Sequence, residues 1–182
     1  MKFTIKLISI LSLAIIFASC GGNSGGWTKH VVPEGSYSIQ MPADSKKSEK
    51  KETTAFGAQT THFLTWKPSA FGMDKFKLFQ ISYSNCPSSV SSDTNMLNLM
   101  LDSAIEMRKK DFTESEIIES QSIELNGYQG RAFFYDAPKG NTIVSVKICI
   151  VKDKLYDLVV ISKKNYATNN EMNTFFNSFT VL

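Results

Sequence analysis

From Ser36 onward, apolar and polar residues alternate in short runs that predict strands. Tyr37, Ile39 and Met41 share one face of a segment that Pro42 stops. Glu52–Phe56 and Thr60–Trp66 read as two strands around Gly57-Ala58. Phe76–Ser84 reads as another, closed by Asn85-Cys86-Pro87-Ser88-Ser89. The period then changes. Leu97, Met100, Leu101, Ala104 and Ile105 recur at three and four, the apolar stripe of a helix that Ser91 or Asp93 can cap and that runs to about Lys110. Glu116–Leu125 and Tyr128–Asp136 flank Asn126-Gly127, two residues that accept the left-handed conformation of a tight hairpin turn. Thr142–Val151 and Leu155–Ser162 follow, joined by Lys152-Asp153, so four strands form an antiparallel meander. A last helix starts from Thr168, with Glu171 three residues on as in a capping box, and carries Met172, Phe175, Phe176 and Phe179 on one side.

The last meander strand is apolar on both faces, with Leu155, Val159 and Ile161 on one and Tyr156, Leu158 and Val160 on the other. A strand of that kind must be covered twice. The pattern predicts an α+β domain over residues 27–182. Its antiparallel sheet has about six to seven strands flanked by helices on both faces, an α/β/α sandwich.

Three stretches resist a purely structural reading. Ser45–Lys51 holds Lys46, Lys47, Lys50 and Lys51 around Glu49; it reads as a solvated loop, with a patch for acidic lipid headgroups as the alternative. The loop Lys67–Asp74 carries Phe71 and Met73, which form either a partner-binding tip or a return to the core. Met96, Met100 and Met107 sit at helical spacing and are expected in the core, with an adaptable binding groove as the alternative.

The N-terminus has its own logic. Lys2 and Lys6 precede an eleven-residue apolar run, Leu7–Phe17, too short for the roughly twenty residues that span a bilayer and the right length for a secretory signal. Phe17-Ala18-Ser19-Cys20 then resembles a bacterial lipobox, with Phe17 where leucine is usual. The resemblance implies cleavage after residue 19, so that 1–19 is a signal peptide, and diacylation of Cys20. Gly21–Gly26 becomes a flexible tether completing a lipid-anchored segment 20–26. Gly21 is not aspartate, which favours the outer over the inner membrane of a cell envelope.

Composition narrows the function. Hydrophobic residues make 42 % and charged residues 20 %, a globular balance. The formal charge of +3 falls to +1 without Lys2 and Lys6, too little to argue for a nucleic acid partner. Cys86 and Cys149 are left as an even pair in a disulfide-permissive compartment. They read either as a bridge or as two buried thiols.

Several segments are similar to PsbP-like domains. Glu34-Gly35-Ser36-Tyr37-Ser38-Ile39-Gln40-Met41-Pro42 is similar to the family's opening strand, and Leu125-Asn126-Gly127-Tyr128-Gln129-Gly130-Arg131 to its central hairpin. Lys154–Val160 resembles its penultimate strand, and Phe175-Phe176-Asn177-Ser178-Phe179 its closing helix and strand. The resemblance implies an antiparallel sheet between helices, in a family of mainly protein-binding domains. That family includes photosystem II subunits, nuclear-import factors and bacterial lipoproteins. It carries over no site residue, because these motifs are turns and core positions.

Chemistry is sparse. His30 and His62 are the histidines, no G-x-S-x-G elbow surrounds a serine, and no zinc or calcium ligand spacing occurs. No metal or cofactor is expected. The expected function is a membrane-anchored, non-catalytic envelope lipoprotein that binds another envelope protein, with Phe71 and Met73 as contacts. The alternative is a carrier or sensor of a small apolar ligand, held in a cavity lined by Met100 and Met107. A hydrolase using His30 or His62 ranks third.

Overall fold

The structure is a computed structural model that describes residues 26–54, 57–68, 75–87, 90, 92–111, 116–137 and 141–182. Its strands are β1 Trp27–Val32, β2 Tyr37–Pro42, β3 Lys46–Thr54, β4 Gly57–Trp66 and β5 Phe76–Asn85. Helix α1, Thr94–Asp111, follows. Then come β6 Glu116–Leu125, β7 Tyr128–Ala137, β8 Thr142–Val151 and β9 Lys154–Lys163, helix α2 Asn170–Ser178, and the short β10 Thr180–Val181.

The strands form two antiparallel sheets. One has seven strands in the order β3-β4-β5-β9-β8-β7-β6; the other has three, β1-β2-β10. The meander β6 to β9 is the expected one, and its first turn places Asn126 at φ 53° and Gly127 at φ 81°, as a tight hairpin requires. Strand β5 joins it through β9, a neighbour far along the chain, with Ile81 opposite Leu158 and Tyr83 opposite Tyr156.

The central strands β8 and β9 are buried along nearly their whole length, and successive residues enter two separate cores. On one side Tyr156, Leu158 and Val160 pack with Phe79, Ile81 and Cys149, with Tyr37, Ile39 and Met41 of the small sheet, and with Met172, Phe175 and Phe176 of α2. On the other, Val159 packs with Val144, Val146, Ile148 and Ile150, and with Leu101 and Ile105 of α1. A side chain at every second residue therefore meets a different layer.

Three expectations need correction. The strands do not share one sheet: β1 and β10 pair with β2 in a separate one. The lysine run is not a loop but most of β3. Its side chains are exposed along nearly the whole strand, so no apolar period marks it, and lysines on this sheet edge oppose pairing with other chains. Its charges also find partners: Lys47 with Glu34 at 2.8 Å, Lys50 with Glu52 at 2.8 Å and Lys51 with Glu49 at 3.5 Å. Finally, α2 is capped by Asn169, not Thr168. The Asn169 side chain accepts a hydrogen bond from the Met172 amide at 2.9 Å. At α1, Asp93 fills the cap role, its carboxylate accepting from the Asn95 and Met96 amides at 2.8 and 3.2 Å.

Candidate functional site

The described features that tie distant elements together begin at the turn 33–36. Glu34 meets Lys47, whose ammonium holds the Glu34 carboxyl below its ordinary pKa. The Gly35 carbonyl accepts the Tyr156 hydroxyl at 2.8 Å. A Cβ on Gly35 would lie 2.6 Å from the Tyr37 ring, so the segment Glu34–Tyr37 docks only with glycine at that place. Ser36 takes φ 53° and lets Tyr37 turn inward against Tyr83 and Tyr156, ring centroids 6.0 Å from each. Burial pushes the Tyr37 and Tyr156 hydroxyls well above the ordinary range. This signature is a structural latch between the two sheets.

The chain's two arginines are a second latch. Arg108 of α1 donates through Nε to Asp157 Oδ2 on β9 at 2.8 Å, and its Nη2 contacts the same oxygen. Arg131 of β7 reaches back to α1, with Nη2 donating to Asn98 at 2.8 Å and Nε to Asp102 at 3.2 Å. Their side chains are 24 % and 12 % exposed. A planar guanidinium can serve several acceptors in a tight space where an ammonium serves fewer, which accounts for arginine here in a lysine-rich chain. Together they set the rotation of α1 about its axis.

That rotation decides which apolar residues face out. Leu101 and Ile105 are buried, whereas Met96, Leu99 and Met107 are 41 %, 61 % and 62 % exposed. Met96 and Met107 are therefore not core, contrary to expectation; α1 carries apolar residues over more of its circumference than the sheet can cover. Met100 packs at the edge of the core. Met107 instead lines an open depression between α1 and β6, with Leu99 and Ile117 as its other exposed or half-buried apolar residues and with Asp102 and Glu106. Met100 is not among its lining residues. The two methionines expected to share a ligand cavity point to different surroundings.

The remaining candidates scatter. Cys20, Phe71 and Met73 lie outside the described residues. Cys86 and Cys149 are free thiols, not a bridge: Cys86 belongs to the core under α1 and Cys149 to the core on the opposite side. The sheet between them is the physical obstacle. Burial pushes the Cys149 thiol up to about 12 and, with the Asp153 charge, raises Cys86 as well. Protein lacking residues 1–25 should therefore leave both thiols unreacted with Ellman's reagent at pH 8 and release two equivalents in guanidinium. Prompt reaction of the folded protein would contradict this burial.

His62 stacks on Tyr83, centroids 4.8 Å apart, and its Nδ1 is 3.8 Å from Glu49. His30 of β1 sits opposite Ile39, and its buried Nε2 has no hydrogen-bond partner. Neither histidine hydrogen-bonds a serine, threonine or cysteine among the described residues. Nor do the described residues hold a cluster of three His, Cys, Asp or Glu that could bind a metal, or a helix long and apolar enough to cross a membrane.

Lys147 is the unexpected titratable group. It projects from β8 under the Phe176 ring of α2, Nζ 4.8 Å from the centroid, and desolvation lowers its pKa from the ordinary 10.5. No carboxylate pairs with it among the described residues. A lysine with a lowered folded pKa costs stability below that pKa, and the cost fades as pH rises to the unfolded value. Lys147→Met should thus add about 0.5 kcal/mol at pH 7, after loss of the cation–π contact, and less above pH 10. Urea midpoints at the two pH values measure this; a destabilised variant at pH 7 would refute it.

No family model matches the chain, and no curated protein matches it significantly. Among solved structures it is similar to cyanobacterial PsbP (CyanoP) from Synechocystis sp. PCC 6803, at 12 % identity and TM-score 0.60, covering 91 % of this chain and 99 % of that one. A protein of unknown function from Pseudomonas aeruginosa matches at 10 % identity and TM-score 0.40, over 78 % of this chain and 85 % of the other. A Bacteroides thetaiotaomicron protein matches at 11 % and 0.40, over 87 % and 49 %. The last two scores carry no weight. The first covers nearly the whole of both chains, and with the seven-stranded antiparallel sheet described above it gives this chain a PsbP-like fold.

Proposed function

We propose that this chain is a lipid-anchored bacterial envelope protein whose PsbP-like domain is a non-catalytic accessory module that binds another envelope protein. The observation that carries the anchoring is where the tether stops. The lipobox-like Cys20 is followed by Gly21–Gly26 in the sequence, and the Gly26 carbonyl already accepts from the Ala43 amide at 2.9 Å, one residue before β1 starts at Trp27. Six residues reach at most about 20 Å, so the acylated cysteine holds the domain close to the bilayer surface. The rigid mount in this reading is the seven-stranded sheet with a helix over each face. Gly21 after the cysteine favours the outer membrane, and the near-neutral mature chain needs no nucleic acid.

Cells expressing the wild-type chain should incorporate labelled palmitate into it, and Cys20→Ala should abolish the label and accumulate unprocessed precursor. Unlabelled, fully processed wild-type protein would overturn the anchor. Photo-crosslinking residues placed at Phe71 and Met73 test the proposed contact: a discrete protein adduct from these positions supports it, and adducts only from positions elsewhere would remove them.

A further inference from the structure

We propose that the end of the large sheet beside the tether is a basic footing that meets the headgroups of an anionic bilayer. The proposal rests on the lipid-anchor reading and adds which end of the domain faces the membrane. The Gly26 carbonyl accepts from the Ala43 amide, three residues before Lys46 opens β3. The Trp27 ring lies 5.3 Å from Phe79, whose ring is 5.8 Å from Trp66. The tether therefore leaves beside the start of β3, the end of β4 and the start of β5. Antiparallel pairing gathers lysines there. Lys46 stands opposite Thr65, two residues before Lys67, and the Lys163 amide donates to the Lys75 carbonyl at 3.0 Å. From β3 to β9 is three strand spacings, about 14 Å, so lysines far apart in the sequence share one corner of the fold.

Ion pairs already engage some of these charges. Lys75 lies 3.9 Å from Glu171 and over the Tyr166 ring, and Lys164 is 2.5 Å from Asp136, so neither carries the argument. Lys46, Lys67 and Lys163 form no ion pair among the described residues, and Lys46 and Lys67 are exposed. Asp44, next to Lys46 along the chain, is likewise unpaired and leaves the balance positive. At the opposite end Lys47 pairs with Glu34 and Lys154 with Asp153, and the exposed Lys152 and Glu124 balance each other. The tether selects the occupant. Its six residues reach at most about 20 Å, so the corner with Lys46 and Lys67 stays the part of the domain nearest the acylated cysteine. A bilayer is thereby held within a few Debye lengths, about 8 Å each, of three unpaired ammonium groups, and anionic headgroups complement them. The hairpin turns Asn126-Gly127 and Lys152-Asp153 then point away from the membrane, where a partner reaches them.

The test couples residues 20–182, which keep every described residue, through Cys20 to a maleimide lipid; the buried Cys86 and Cys149 do not compete. Vesicles of phosphatidylcholine, alone or with about 30 % phosphatidylglycerol, are compared by acetylation with an N-hydroxysuccinimide ester and mass spectrometry. Lys46, Lys67 and Lys163 should acetylate about threefold or more slowly on the anionic vesicles, whereas Lys51 and Lys152 keep their rates, and about 0.5 M salt should remove the difference. K46E/K67E should return Lys163 to its rate on neutral vesicles. K51E/K152E, with the same change of net charge at the other end, should not, and melting curves confirm that both variants fold. Equal rates on the two vesicles, protection spread over all lysines, or protection lost equally in both variants overturns the proposal. Protection of the same lysines without vesicles, rising with protein concentration, would make the occupant a second copy and overturn it too. Chemical coupling replaces the acyl chains, so each of these outcomes leaves palmitate labelling at Cys20 to decide the anchor separately.

Discussion

Phe175→Ala is expected to cost about 3–5 kcal/mol, the usual range for removing a fully buried phenylalanine ring. Phe175 is 0 % exposed and lies where three layers meet. Its ring sits 5.4 Å from Phe79 of the large sheet and 5.3 Å from Phe176, within the core that includes Tyr37 and Met41 of the small sheet. The cavity left behind cannot collapse from one side, because β5, β2 and α2 are each held by their own hydrogen bonds. A domain of this size should lose on the order of 10 °C in melting temperature. Equilibrium urea unfolding followed by circular dichroism gives the number directly. A loss under about 1 kcal/mol would show that α2 does not close the core.

Gly130→Ala is the second large effect, and it arises from the backbone. Gly130 of β7 stands opposite Cys149 of β8, and a Cβ there would lie 2.3 Å from the Ile148 carbonyl oxygen and 3.2 Å from Cys149 Cβ. A flexible side chain could swing away; a carbonyl within a sheet ladder cannot without breaking the β7–β8 pairing. The expected loss is about 3 kcal/mol or more. Gly127→Ala, three residues earlier, is the control. Nothing lies within 4 Å of its Cβ, and only its φ of +81° opposes alanine, so about 1–2 kcal/mol is expected. Equal losses at the two glycines would rule out the close approach at β7.

The same two positions show how a sequence resemblance can be right about fold and silent about chemistry. Leu125–Arg131 resembles the family's hairpin, and the structure explains each part: Asn126 and Gly127 turn, Gly130 admits β8, and Arg131 clips α1. Glu34–Tyr37 likewise resolves into a latch of an ion pair, a glycine with no side chain to clash and a buried tyrosine. These residues serve turns, packing and the clasp between α1 and the sheet. Met107 reads in the sequence as core, with a binding groove as the alternative, and Leu99 lies outside the apolar stripe; the structure exposes both.

Where burial imposes a period, the sequence is explicit. Strands β2, β5 and β7 to β9 bury alternate or successive residues, and each was legible to within a residue or two, as were the stripe of α1 and the apolar side of α2. Where burial is one-sided or slight, the pattern fades. Strand β1 carries no clear period in the sequence, because its side chains alternate only loosely between core and solvent at the margin of the small sheet. The lysine-rich β3 reads as loop for the same reason.

By itself, then, the sequence determined both helices and most of the strands, the hairpin order of the meander and the need for cover on both faces of β9. Only the tertiary structure decided that β1, β2 and β10 form their own sheet, that Cys86 and Cys149 fall in opposite cores, and that Leu99 and Met107 face out beside Asp102 and Glu106. The reason is physical: a local pattern records how often a side chain is withdrawn from water, whereas its neighbour is set by pairings such as β5 with β9 and β2 with β10, between segments far apart along the chain.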